Sequence, residues 1–518
     1  MVSRNVLRLL FLSLLLISAA ISSAQVNIDT ERTYLGMTLV DLDEETAERL
    51  NLPAPIGVWV RSAAEGYPAH EAGIRPGDVV FLHNGVAATN ARELIAELQN
   101  DRKAGDTEKF NLFRGEKEFK AEVTHRKLNL EEVAKMILSM ADQGDPQQQN
   151  LAGILCHNGQ GVEKDLTMAA GYFRQAARQG FGAAQENLAR RYYTGQGVEQ
   201  DYQKALDWYS KAAEQGFPQA QTGAGWILYK GFGGITKDWD RAKELFTIAA
   251  EKDEPYALMD LGLMYLNGHG VDKNPTHAAT LFRRSSELGL ADGTKLLADC
   301  HKNGQGVDRD YLTAFRLYTK AAEGGNINAQ IEVGLLYFNG YGVDKNPEKA
   351  AFWFEKAGES NEPAAWNNLG WMYEQGDGVK KNTKRAVELY EKAAAADYTL
   401  ANYNLGRLYE NGTGVTKSDK KASRYYLKAA QEGNVEAMTN LGSMILDGRG
   451  YKRSDAAALS WFQKAAKLGS PAGEAGVGWM YENGFAVPKD RVEAISWYLR
   501  ASDHGNEWAK NRLKELQQ

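Results

Sequence analysis

Ten repeated loops, nine of them Gly-x-Gly and the last Gly484-Phe485-Ala486, are the most phosphate-like feature of this chain of 518 residues. Their first glycines fall at 159, 195, 231, 268, 304, 340, 376, 412, 448 and 484. None is completed to Gly-x-Gly-x-x-Gly or followed by a Walker lysine, so the glycines are assigned to turn geometry. The eight histidines, His70, His83, His125, His157, His269, His277, His301 and His504, show no HExxH or CxxH spacing. Cys156 and Cys300 lack CxxC spacing and are expected to be separate buried thiols. No Gly-x-Ser-x-Gly nucleophile turn occurs. The reading is therefore a non-enzyme with no catalytic residue, no metal and no cofactor. Amide and guanidinium chemistry remains. Asn187, Asn368, Asn404 and Asn440 stand eight residues before their loops, with Arg191 and Arg407 nearby. An amide carries both donor and acceptor, so this set is a candidate groove for a peptide backbone. The competing reading is helix asparagine that is solvated or bonded locally.

The glycines step by 36 residues, with one step of 37 after Gly231 where Gly234 is inserted. Self-similarity at that period marks a stacked array of helix pairs. Six residues before each loop stands Gly or Ala, from Gly153 and Ala189 to Gly478, where two helices must cross closely. The second helix carries Ala at the tenth position and an aromatic four later, Phe173 to Tyr498, which makes one buried face. It ends at Gly in seven copies and at Asp253, Asn361 or Asp397 in the others, the residues that best tolerate a left-handed cap. Asp272, Asp308 and Asp344 are expected to cap second helices. Residues 145–505 hold ten repeats, residues 129–144 read as an N-terminal half-repeat cap, and 506–518 as a C-terminal capping helix.

Residues 30–126 change pattern. Thr33–Asp41, Ile56–Arg61, Asp78–His83 and Phe110–Thr124 read as strands, and Asn90–Asn100 as a helix capped by Asn90 with Leu94, Ile95 and Leu98 on its apolar stripe. Before them, Arg4 and Arg8, an apolar core from Leu9 to Ala20, and Ser22-Ser23-Ala24 form a signal-peptide pattern over residues 1–24. An uncleaved anchor is the rival. The mature chain is expected to be periplasmic or secreted, with no transmembrane segment. A net charge of −6 and a pI near 5.9 argue against nucleic acid as a partner.

Two stretches resemble a known family. Ala72-Gly73-Ile74-Arg75-Pro76-Gly77-Asp78, running on to Asn84-Gly85, is similar to the core motif of PDZ domains. Thr33-Tyr34-Leu35-Gly36-Met37 resembles the carboxylate-binding loop of the bacterial HtrA-protease type. The resemblance implies that a peptide C-terminus adds a strand to the sheet edge. Its carboxylate would sit on the backbone N–H groups of Tyr34, Leu35, Gly36 and Met37, and its last side chain in a pocket of Leu35, Met37, Leu94, Ile95 and Leu98. The competing reading makes Tyr34, Leu35 and Met37 plain strand core. The 36-residue unit resembles the Sel-one-like repeat, a relative of the tetratricopeptide repeat in which inner-face asparagines hold peptides. The implied fold is an α+β PDZ-like domain followed by an all-α right-handed superhelical solenoid of helix-turn-helix repeats. No linker follows Arg126, which leaves a docked and a tethered PDZ-like module both open.

The implied function is an exported adaptor that binds a protein C-terminus through the first domain and a second protein through the solenoid, in envelope protein quality control. The alternatives are an envelope hydrolase or drug-binding protein of the repeat family, or a purely structural spacer.

Overall fold

The computed structural model describes residues 33–49, 57–99, 104–115 and 117–517. The signal-peptide assignment to residues 1–24 lies outside them. The chain divides into two compact units, Met1–Leu288 and Gly289–Gln518.

The first unit begins with a small antiparallel sheet. Its strands are β1 (Thr33–Tyr34), β2 (Met37–Asp41), β3 (Val58–Ala63), β4 (Val79–His83), β5 (Val86–Ala87), β6 (Thr107–Arg114), β7 (Lys117–Thr124) and β8 (Arg126–Lys127). The strand order is β2-β3-β4-β6-β7 with β5 on β4, while β1 pairs with β8 among the described residues. Helix α1 (Glu44–Arg49), the single turn α2 (Pro68–Glu71) and α3 (Ala91–Gln99) complete the domain. Alternation along the strands buries Leu39, Val58, Val60, Val80, Phe110, Leu112 and Val123 together with Leu94 and Leu98 of α3. Asn90 accepts from the Glu93 N–H at 3.0 Å, so the helix starts where its cap residue stands.

Helix α4 (Leu130–Asp142) follows directly and opens with a capping box between Asn129 and Glu132. The array then runs as pairs, the first being α5 (Pro146–Asn158) and α6 (Leu166–Arg178). The first helices end on the left-handed first glycine of the loop, as at Gly159 (φ 72°) and Gly195 (φ 72°), except Val435–Leu446, whose cap is Asp447. At the ends of second helices Asp253, Asn361 and Asp397 adopt φ of 55°, 61° and 56°, the left-handed position that glycine such as Gly180 or Gly216 holds in other copies. The caps of the second helices lie two residues beyond the expected ones. Asn274, Asp310 and Asn346 accept the backbone N–H bonds, rather than Asp272, Asp308 and Asp344. The loop needs those two extra residues to turn before the helix begins.

The second unit repeats the pair from Ala291–Asn303 to Arg491–Asp503 and closes with the helix Glu507–Gln517. Close crossing explains the small residue six before each loop. A Cβ added to Gly406 would stand 2.6 Å from Tyr426, and one on Gly334 2.7 Å from Phe354. Cys156 and Cys300 are free and buried. No helix among the described residues is long and apolar enough to cross a membrane, and no group of His, Cys, Asp or Glu among them is arranged to hold a metal.

Candidate peptide groove and inner-face polar networks

Leu35 and Gly36 connect β1 to β2, and their carbonyls are both taken. Leu35 O accepts from Ala69 N–H and Gly36 O from Ala64 N–H, each at 2.8 Å. Across a planar trans peptide the N–H points opposite to the C=O. The N–H groups of Gly36 and Met37 are therefore aimed away from the domain body. Gly36 has φ of +74°, a left-handed conformation open to glycine at little cost.

The ladder agrees with that orientation. Met37 lies opposite Ala63, whose own N–H and C=O are engaged by the Gln143 amide at 3.0 and 2.7 Å. The two residues form a non-hydrogen-bonded pair, so Met37 directs both backbone groups to the open side of β2. Among the described strands nothing pairs with that side. Helix α3 flanks it, joined where Asp41 accepts from the Ala91 N–H at 2.6 Å. The side chains named in the sequence divide. Leu35, Leu94 and Leu98 are buried in the core, whereas Met37 and Ile95 are half-buried at its rim. For Tyr34 the structure gives its backbone pairing with Arg126.

The loop is backed by the helical array. Tyr67 lies behind Gly36 and donates its hydroxyl to Glu132 O of α4 at 2.6 Å. Thr38 of β2 accepts from Gln148 Nε2 at 3.1 Å and from Ser62 Oγ at 2.9 Å. Ser62 is fully buried against Asp145. The sheet domain is docked on α4 and α5, which settles the choice between docked and tethered.

On the first helices the asparagines and arginines named in the sequence are held within the array. Asn187 donates to Asn150 at 2.9 Å and Asn404 to Asn367 at 3.0 Å. Asn368 and Asn440 are half-buried. Arg407 grips Glu374 with bonds of 2.6 and 2.7 Å. Arg191 is 3% exposed and bonds His157 and Gln196.

The carboxylates of these networks were not singled out in the sequence. Glu374, Glu410 and Glu482 each accept from the tyrosine 16 residues later, Tyr390, Tyr426 and Tyr498. Each also pairs with an arginine: Arg407, Arg449 or Arg512. Burial, reinforced by Glu374, pushes the Tyr390 phenol well above its ordinary value. The signal was present in the repeats. Where the buried aromatic is Phe282, Phe354 or Phe462 the residue 16 earlier is apolar, Leu266, Phe338 or Leu446, whereas Phe173 and Phe246 follow His157 and Lys230 and Tyr209 and Tyr318 follow Tyr193 and Lys302, so the carboxylate at this spacing belongs to three copies only. A second missed cluster lies in the sheet domain, where buried Glu108 bridges His83 (2.8 Å) and His125 (3.2 Å).

Comparison with known proteins accounts for both parts. The PDZ domain family matches residues 33–124, and the Sel1 repeat family matches ten consecutive segments from 148–181 to 471–506. A probable periplasmic serine endoprotease DegP-like protein of Hahella chejuensis is 38% identical over 55 residues, 11% of this chain and 12% of that protein. The serine protease Do-like HtrA of Bacillus subtilis is 32% identical over 95 residues, 17% of this chain and 21% of that one. The chain thus covers about an eighth and a fifth of the length of these curated relatives, and the similarity lies in the PDZ region. Among solved structures, c5321, a protective antigen of uropathogenic Escherichia coli strains displaying an SLR fold, is 28% identical with a TM-score of 0.49, covering 74% of this chain and 92% of that one. A Sel1 repeat protein from Oxalobacter formigenes is also 28% identical with a TM-score of 0.49, covering 60% and 90%. Both matched families are protein-interaction modules, so the chain is of adaptor or scaffold type. It belongs to the Sel1 repeat family and carries a PDZ domain ahead of its ten repeats.

Proposed function

We propose that the chain is an exported adaptor whose PDZ domain captures the C-terminus of a protein partner while the repeats hold a second protein, in envelope protein quality control. The observation that carries the first half is the pair of N–H groups on Gly36 and Met37, aimed outward beside the open edge of β2. A carboxylate accepts from such a pair, and the peptide behind it continues the sheet through main-chain bonds. Met37 and Ile95 at the rim favour an apolar last residue. Export rests on the signal-peptide pattern and on the likeness to a protein described as periplasmic.

Amide hydrogen exchange tests the groove directly. A peptide ending in a free apolar residue should slow exchange at Gly36 and Met37 and along β2. Unchanged exchange in the presence of saturating peptide would remove the groove from the account.

A further inference from the structure

One repeat breaks the pattern of the other nine. Four residues before the loop glycine the first helix inserts a side chain into the core of its repeat. Leu155, Ile227, Met264, Leu336, Leu408 and Met480 occupy that position and are at most 3% exposed, and the three further copies hold Met or Cys. The second repeat places Arg191 there, equally buried at 3%.

Burying a guanidinium is costly unless an opposite charge accompanies it. The buried Glu186 of the same helix is bound to the neighbouring Arg190 at 2.6 Å. Arg191 has neutral partners instead: His157 Nδ1 at 2.8 Å and Gln196 Oε1 at 2.8 Å. Its buried Nε has no hydrogen-bond partner. Burial and the field of Arg190 press the guanidinium down to about 10. Burial and Arg191 press the His157 imidazole down to about 4, so the ring is neutral near pH 7. The cluster carries one positive charge more than it balances. His157 and Gln196 are only half-buried, and Gln196 sits between left-handed Gly195 and Gly197, so these two partners are the part of the cluster nearest solvent.

We propose that Arg191, His157 and Gln196 form a binding site for a single oxyanion, a carboxylate or phosphate group that displaces the Gln196 amide and meets the Arg191 fork. The site is independent of the PDZ groove. A planar guanidinium recognises such groups through paired N–H bonds, and a partly dry setting strengthens them.

The test is thermal melting of the full chain in acetate, inorganic phosphate and chloride at equal ionic strength. The wild-type chain should melt higher in acetate or phosphate than in chloride. Acetate response assigns a carboxylate ligand, and response to phosphate alone assigns a phosphoryl group. Arg191→Met restores the apolar residue of other copies and should lose the response while melting higher in chloride. Gln196→Glu supplies the missing carboxylate from within the chain, and should also melt higher in chloride and lose the response. The proposal is overturned if neither anion shifts the wild-type chain. It is equally overturned if both variants respond as the wild type does, or if Arg191→Met melts lower in chloride.

Discussion

The absent Cβ of Gly36 points at Tyr67: an atom built there would stand 2.6 Å from Tyr67 Cβ and 3.5 Å from Met136 Sδ. The loop at Gly36 is therefore pressed between its own domain and α4. Gly36→Ala combines this contact with a left-handed backbone and is expected to destabilise the chain by about 1–3 kcal/mol. Chemical unfolding measures the cost, and a neutral effect would show that Tyr67 yields.

Gln143 acts as a surrogate strand, its amide satisfying both backbone groups of Ala63. Ala63 is fully buried. Gln143→Ala leaves those groups without partners, a cost of about 1–3 kcal/mol. Hydrogen exchange at Ala63 should accelerate in the variant while exchange in the later repeats stays as it was.

Acid should weaken the first repeats through His157. Its folded pKa is lowered to about 4 by burial and then by Arg191, against an ordinary value of about 6.5. Between these values the unfolded chain binds the extra proton, so stability present above about pH 6.5 is lost as pH falls toward 4. His157→Gln should show a shallower fall in melting temperature between pH 7 and pH 5. Equal slopes would contradict the assignment.

Ala486 stands in the place of the second loop glycine with φ of +62°, where the other nine copies hold glycine. Ala486→Gly relieves the left-handed strain and should stabilise the chain by about 1–2 kcal/mol, read by chemical unfolding.

Much of this architecture was legible because the repeat tests each position ten times. The small residue six before the loop, the aromatic of the second helix and the left-handed Asp253, Asn361 and Asp397 all followed from register. The helix caps did not, since Asp272 and Asn274 are both sound cap residues and only the path of the loop chooses between them. In the PDZ domain the motif located the loop, but periodicity could not separate Ile95 at the rim from Leu94 and Leu98 in the core. The docking of that domain was not readable either. It depends on Thr38, Ser62, Gln143 and Gln148, ordinary polar residues whose pairing spans up to 110 positions. Arg191 was visible as a groove candidate, yet its significance lies in replacing an apolar core residue.

The central claim is that the loop at Gly36 and Met37 receives a peptide carboxylate. Fluorescence anisotropy of the full chain against one apolar-ended peptide, prepared as free acid and as C-terminal amide, tests it most directly. The account predicts binding of the acid, loss of binding with the amide, and loss of acid binding in Gly36→Val. Equal binding of acid and amide would contradict it.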